Sequence, residues 1–412
     1  MYWGVTTVTD QSNLSCPICF TLCDALNMRG KLTYLCAVLT AIGLQITSFA
    51  TSEARSCTQN AAVKYLRADL ALRQSYPLPP DAALTLEKSM EAPLDSADEK
   101  LVAAAGEALT EMLHGSALKT CDWSVSAEDG PLANTAHRGA VREMVAVSGI
   151  RARLRFRDRA SERAVEDLLT GMAATRHLSL DGSLASVLIA YKLEDSLTGI
   201  FASNLTLLSP SQLQELAIRL DALPSGSNLG KALEDEKVAS NGLLVISDGA
   251  KSREQLTERL LAMAPYLGSN RALVAEIIDG CGSSITGFVK CIEQQESFCA
   301  SWAKRFAISP EQFEKEYASE WEPLSKSNPV IRVMTPNLPR FRWREAYEQT
   351  RRALLRAAIA VQIDGPRALD QNSDPYDGKP FSYKSNGQGF RLESHLKEGN
   401  KPLSISVGGE GQ

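Results

Sequence analysis

The sequence predicts a mainly α-helical protein: a multi-helix, antiparallel bundle-like body with a small C-terminal antiparallel β-sheet packed on the last helix. Three observations carry this. Apolar residues recur at helical spacing from about Thr58 to Ile363, interrupted by short breakers. Aromatic residues make up only 6% of the 412, while Ala, Leu and Glu are frequent, a balance that favours helix. Past residue 374 the pattern changes to apolar–polar alternation, the period of a half-buried strand. The hydrophobic share of 44% supplies a sizeable core, and the net charge of −5 supplies no basic field for nucleic acid.

The elements follow in order. Residues 60–74 form a helix ended by Pro77, Pro79 and Pro80. Residues 98–114 form a second, with Asp98 and Glu99 at its positive end and Gly115 as its stop. A strongly basic helical region from Arg138 to about Asp158 carries Arg142, Arg151, Arg153, Arg155 and Arg157, with Arg159 just beyond, and offers either a surface for an anionic partner or a solvated, internally paired face. Their spacing spreads them around the helix, and Glu162, Glu166 and Asp167 are the expected partners. Helices follow over 161–177, capped by Ser161, and over 183–202 after the Asp181–Gly182 turn. Ser209–Pro210 opens the next helix, 224–231 is a loop, and 251–265 and 270–279 are two more helices. Ser309–Pro310–Glu311 starts a short helix. Pro323, Pro329, Pro336 and Pro339 mark an irregular segment before a last helix at about 343–363. Short loops imply antiparallel neighbours.

The N-terminal region reads as an export signal. Leu32 to Ala50 carries no charge, Arg29 and Lys31 precede it, and Ser52 and Ala54 follow. A basic start, an apolar middle and a small-x-small end is the order of a secretory signal, and the run is long enough to anchor the chain in a bilayer. Met28 directly precedes Arg29, and residues 1–27 contain no Lys or Arg but hold Cys16, Cys19 and Cys23. The expected organisation is therefore a non-native extension at 1–27, a signal peptide or membrane anchor at 28–54, a helical body at 55–340, and a helix plus β module at 341–412. The expected location is the periplasm or cell envelope, with membrane association through residues 32–50. In that oxidising setting Cys57, Cys121, Cys281, Cys291 and Cys299 are candidate disulfide cysteines, with one left over and the connectivity open.

At the C-terminus, Phe381 and Tyr383, Phe390 and Leu392, and Leu403, Ile405 and Val407 alternate with polar residues, giving three short strands. Their expected cover is the preceding helix through Tyr347, Leu354, Ala358 and Val361. The stretches DPYDGKPFSY (374–383), GFRLES (389–394) and LSISVGGEG (403–411) resemble the C-terminal module of type II secretion major pseudopilins. The same ending, together with CDW at 121–123 and the arginine-rich run at 151–169, resembles a group of uncharacterised exported bacterial proteins with helical bodies. The pseudopilin resemblance implies a capacity for calcium in the final loop, yet that loop offers Glu410 alone, whereas calcium takes six to eight oxygens. Asp374 and Asp377 are expected to shape the turn. The pseudopilin processing motif is missing before Leu32, so assembly into a fibre is not expected.

Catalytic signatures are sparse. His114, His137, His177 and His395 have no metal-binding spacing. The glycines at 280, 282 and 287 in GCGSSITG lack the Lys-Ser or Lys-Thr of a phosphate loop and read as a helix connection. Glu234, Asp235 and Glu236 are consecutive, so they diverge around a helix. No cofactor or metal is expected. The function expected is a non-catalytic envelope or periplasmic scaffold or binding protein with an envelope protein or polymer as partner. The alternatives are an envelope-polymer hydrolase with a carboxylate site and a hydrophobic-ligand binder.

Overall fold

The structure is a computed structural model and describes residues 59–79, 82–125, 135–235, 244, 247–262, 271–387 and 389–408. The expected export segment and Cys57 lie outside the described residues. Among these residues there are fifteen α-helices and one three-stranded sheet. The helices are α1 (Ala61–Ser75), α2 (Ala82–Ser89), α3 (Ser96–Ala104), α4 (Gly106–Ser116), α5 (Ala136–Arg157), α6 (Ser161–Leu178), α7 (Leu184–Asn204) and α8 (Pro210–Asp221). They continue with α9 (Leu229–Asp235), α10 (Arg253–Ala262), α11 (Arg271–Gly280), α12 (Ile285–Ala303), α13 (Pro310–Ser327), α14 (Pro329–Met334) and α15 (Leu338–Asp364). The mainly α fold with a small C-terminal sheet is thus the one the sequence predicts.

Local chemistry sets many of the boundaries. Asp95 and Asp98 form a reciprocal capping box at α3, and Ser209 and Gln212 form another at α8 with Pro210 in the first turn. Each box satisfies amides that the helix itself cannot. Gly182 closes the turn before α7 at φ +80°, a conformation that strains any residue with a Cβ. Ser183 then caps α7 by accepting from the Ser186 amide.

Several boundaries differ from expectation. Residues 98–114 are two helices, broken at Ala105, whose φ −81° and ψ 9° leave the helical well. Gly115 does not stop α4 but lies inside it, where a Cβ would come within 2.9 Å of the Tyr65 ring. Ala160, not Ser161, occupies the cap position of α6. Helix α13 runs eighteen residues and contains Pro323. Pro329 opens α14 and Pro339 lies in the first turn of α15, so three of the four prolines of the expected irregular segment sit inside or at the start of helices.

Three apolar clusters fill the body. The main core joins α1 to α8 with α15 and the sheet, through residues such as Tyr65, Met144, Ile150, Leu168, Phe201 and Leu354. A second gathers the start of α7 with α9, α12, α13 and α15 around Trp302, and a third joins α10, α11, α12 and α14 around Phe288 and Ile292. Each fully buried large side chain contributes about 1.5–3 kcal/mol.

The sheet has order β1 (Ser382–Ser385), β2 (Phe390–Glu398), β3 (Lys401–Val407), all antiparallel. Leu392 stands opposite Tyr383 on one side and Ile405 on the other. Leu392, Leu403, Ile405 and Val407 share the main core with Leu354, Ala358 and Val361 of α15, the expected cover. Strand β1 departs from expectation: all four of its residues are exposed, and the buried aromatic at its start is Phe381, just before the strand. The sheet shares the main core instead of enclosing one of its own.

Candidate functional site

A concentration of buried charge lies between α7 and α15. Glu194 sits among Leu193, Leu197 and Phe201 on the buried face of α7 and is 2% exposed. Its carboxylate accepts from Arg352 Nε at 2.9 Å, Arg352 Nη2 at 2.6 Å and Arg176 Nη2 at 2.9 Å. Burial alone would raise its pKa, but the two guanidiniums outweigh burial and hold it below the ordinary value. One helical turn earlier, Tyr191 donates to Glu345 Oε2 at 2.5 Å, and the Leu229 amide donates to the same oxygen at 2.9 Å. On the outer side, Arg351 joins Asp195 Oδ1 at 2.5 Å and the Ser404 carbonyl at 2.9 Å, tying α7, α15 and β3 together.

Glu348 is the exception within this seam. It is 1% exposed, and Arg344 Nη2 lies 2.9 Å from Oε1, yet neither oxygen has a hydrogen-bond partner. Proximity without alignment leaves the desolvation largely uncompensated. Burial therefore raises its pKa well above the usual carboxylate range; Asp195 and Glu194 add to this, and Arg344 only partly opposes it.

A second polar cluster anchors α1 and the 121–125 segment. Tyr65 Oη and His177 Nδ1 are 2.8 Å apart, Trp123 Nε1 donates to the His177 carbonyl at 2.8 Å, and the Trp123 ring stacks on His137 at 4.8 Å. Burial lowers the pKa of His177 to about 4. His137 Nε2 lies 3.0 Å from Asp181 Oδ2, which also receives Arg138 and Ser186. Burial works against the Asp181 carboxylate, but these donors and the Ser183 amide bring its pKa down to about 2. His114 is exposed beside Glu111, and His395 Nδ1 pairs with Asp377 Oδ2 at 2.9 Å.

The arginine-rich helix α5 spends its charges internally. Arg151 and Arg155 hold Asp167, as the sequence suggests. Arg142 holds Glu87, Arg157 pairs with Glu99, and Arg153 donates to the Ser89 and Ala92 carbonyls. Glu166 pairs elsewhere, with Arg219. Asp235 pairs with Lys231, and Glu236 lies outside the described residues. The GCGSSITG segment connects α11 to α12. A Cβ at Gly287 would lie 1.9 Å from the Cys281 carbonyl oxygen, so the glycine there permits a tight backbone approach.

Among the described residues, Cys121, Cys281 and Cys291 are free thiols in the structure. Cys121 packs on the main core and Cys299 in the second cluster, while Cys281 and Cys291 share the third. The Cys281 and Cys291 side chains are in hydrogen-bonding contact, and burial followed by this contact raises the Cys281 pKa. Of the candidate disulfide cysteines described, these two are placed to pair. Oxidation of the full chain with a glutathione redox buffer should join Cys281 to Cys291, with loss of about 2 Da as two thiol hydrogens leave. Peptide mapping that finds Cys121–Cys299 instead would refute this pairing.

Asp374, Asp377 and His395 bring their ligand atoms within 4.8 Å of one another. Each is already engaged. Asp374 accepts from the Tyr376 amide, the Ser394 hydroxyl and the His395 amide, and Asp377 accepts from the Lys379 amide and pairs with His395. The two acids shape the turn, as expected.

Cavities bounded by described residues include three near these elements. The first, of about 580 Å³, lies beside Leu244, Ala250, Ile285 and Val289. The second, of about 550 Å³, is lined by Leu94, Phe156 and Leu207 with Arg153, Arg157 and Glu91. The third, of about 130 Å³, lies against α15 at Arg342, Ala346 and Thr350. The acids with raised pKa values, Glu143, Asp167 and Glu348, line none of the three. No single described helix is long and apolar enough to span a membrane, and α11 with α12 passes only as a pair bent by 90°. Comparison with protein-family models, curated proteins and solved structures finds no match for this chain.

Spacing of histidines and cysteines gave no access to the seam. The usable signal was Glu194 itself, a carboxylate falling on the apolar stripe of Val187, Tyr191, Leu197 and Phe201.

Proposed function

We propose that this chain is an exported, non-catalytic binding protein of the cell envelope, whose helical body is the scaffold and whose residues 32–50 supply the signal or the anchor. The observation that carries this reading is the use of the charged residues. The described acids with raised pKa values line none of the three cavities above and face arginines: Glu143 meets Arg73 and Asp167 meets Arg151 and Arg155 between helices, and Glu348 meets Arg344 one turn away on α15. Paired carboxylates for acid–base hydrolysis need access to a substrate.

The cavity of about 550 Å³ falls in the size range of ligand sites and combines Leu94, Phe156 and Leu207 with Arg153, whose hydrogen bonds go to the Ser89 and Ala92 carbonyls and not to an acid. It suits a partner group with an apolar body and an anionic end. Leu207, 53% exposed at its edge, is a substitution point that leaves the core intact.

In the test, the full-length protein is recovered from the envelope fraction of cells and titrated with an apolar anionic fluorophore. Recovery in that fraction, saturable binding, and at least about tenfold weaker binding by Leu207→Glu are expected, a difference of about 1.4 kcal/mol. Recovery from the cytoplasm, unchanged binding by the variant, or release of fragments from an envelope polymer by the purified protein would overturn the reading.

A further inference from the structure

Helix α5 carries six arginines, and one of them is unlike the rest. Arg138, Arg142, Arg151, Arg155 and Arg157 each form an ion pair with a carboxylate. Arg153 forms none among the described residues. Its Nη1 donates to the Ser89 carbonyl at 3.0 Å and to the Ala92 carbonyl at 2.6 Å, at the C-terminal end of α2. These two bonds hold the guanidinium in place.

The opposite edge of that guanidinium is unused. Nε and Nη2 have no hydrogen-bond partner among the described residues, and neither is shut off from solvent. Burial lowers the Arg153 pKa, and Asp98 opposes this without forming an ion pair. A guanidinium keeps its proton at such a site. Arg153 is therefore a fixed, partly desolvated cation whose counter-charge the protein does not supply.

Its surroundings define what could supply it. Arg153 and Phe156 lie three residues apart on one face of α5, and both line the cavity of about 550 Å³ with Leu94 and Leu207. Phe156 is 3% exposed and belongs to the main core, so its ring is a fixed wall. The Nε–Nη2 edge is a fork of two parallel donors, which matches the two oxygens of a carboxylate. Glu91 is exposed at the same cavity, and its charge disfavours a dianion such as a phosphate monoester. The volume equals that of about eighteen water molecules, which leaves room for a hydrocarbon chain behind one carboxylate.

We propose that this cavity binds a fatty monocarboxylate of about eight to twelve carbons, the length its volume admits. The carboxylate accepts from Nε and Nη2 of Arg153, and the chain lies along Leu94, Phe156 and Leu207. The inference rests on the binding role assigned to the same cavity and names its ligand class.

Displacement of the apolar anionic fluorophore from the full-length protein by decanoate, octanoate, decanol and decyl phosphate tests this. Decanoate should displace it saturably in the micromolar range. Octanoate, two methylenes shorter, should bind about tenfold more weakly. Decanol, the same chain without the charge, should bind at least about tenfold more weakly, and decyl phosphate about threefold more weakly. Arg153→Met should weaken decanoate at least about tenfold and leave decanol unchanged, a loss of selectivity that a purely structural role would not produce. Far-ultraviolet circular dichroism checks its fold, and the comparison of the four ligands on the wild type decides if that variant does not fold. Equal affinity for decanol, tighter binding of decyl phosphate, or selectivity kept by folded Arg153→Met would each overturn the inference. Failure of decanoate to displace a fluorophore that Leu207→Glu weakens would overturn it and leave the binding role standing, whereas absence of fluorophore binding would remove both.

Discussion

Replacing Arg352 with methionine is expected to destabilise the folded body by about 3–5 kcal/mol, because it leaves a buried carboxylate without its principal counter-charge. Glu194 keeps Arg176, but loses both guanidinium bonds from Arg352. The double variant Glu194→Gln with Arg352→Met should recover a large part of that loss, since no charge is then stranded. Chemical denaturation of the four proteins at pH 7 gives the coupling; a double variant as unstable as the sum of the singles would refute the pairing. The pH dependence has a definite sign. The pKa of Glu194 is lower in the folded state, so its contribution is present above the unfolded value of 4.5 and is lost as pH falls through the folded value. The pH-dependent part of the difference between wild type and Glu194→Gln should therefore shrink in acid.

Replacing Glu348 with glutamine should act in the opposite direction, stabilising the protein by about 1–3 kcal/mol at pH 7. The two glutamates occupy one seam, but the oxygens of Glu348 have no hydrogen-bond partner. Its folded pKa is raised, so between the unfolded value of 4.5 and the folded value the native state holds a proton that the unfolded chain has released. Wild-type stability from this group is complete below pH 4.5 and falls as pH rises through that window. The advantage of Glu348→Gln should appear across the same window and vanish below it. Thermal unfolding at pH 4 and pH 7 measures it, and an equal or lower melting temperature for the variant at pH 7 would refute the assignment of Glu348 as an uncompensated acid.

The fold was legible where local chemistry is decisive. Ser209–Pro210 states the start of α8 in two residues, and alternation at Leu403, Ile405 and Val407 states β3. Where local signals compete, reading was poorer. Helix α2 is eight residues directly after a proline cluster and left too short a periodic run to recognise. Pro323 suggested a break that α13 does not make, since packing of Phe313 and Tyr317 against Trp302 holds the helix in place.

The candidate site was legible in proportion to sequence separation. Asp167 lies close to Arg151 and Arg155, and that partnership was visible from spacing. Glu194 and Arg352 are 158 residues apart, and no local rule joins them. Arg342 belonged to a helix expected to begin at residue 343, and only the meeting of α15 with the Ser309 loop and the Pro375 turn makes it part of a cavity.

The wide separation of the seam's partners also sets the order in which the molecule can be completed. Tyr191 waits for Glu345, 154 residues later, and Arg351 then waits for Ser404, 53 residues further on. Helix α7 therefore has no finished surroundings until α15 has been made, and its buried Glu194 lacks its Arg352 partner until then. Early helices form quickly from local contacts, but closure pays the entropy of very long loops. A chain of this design stays open at its centre until α15 and the strand packed on it are available to close it.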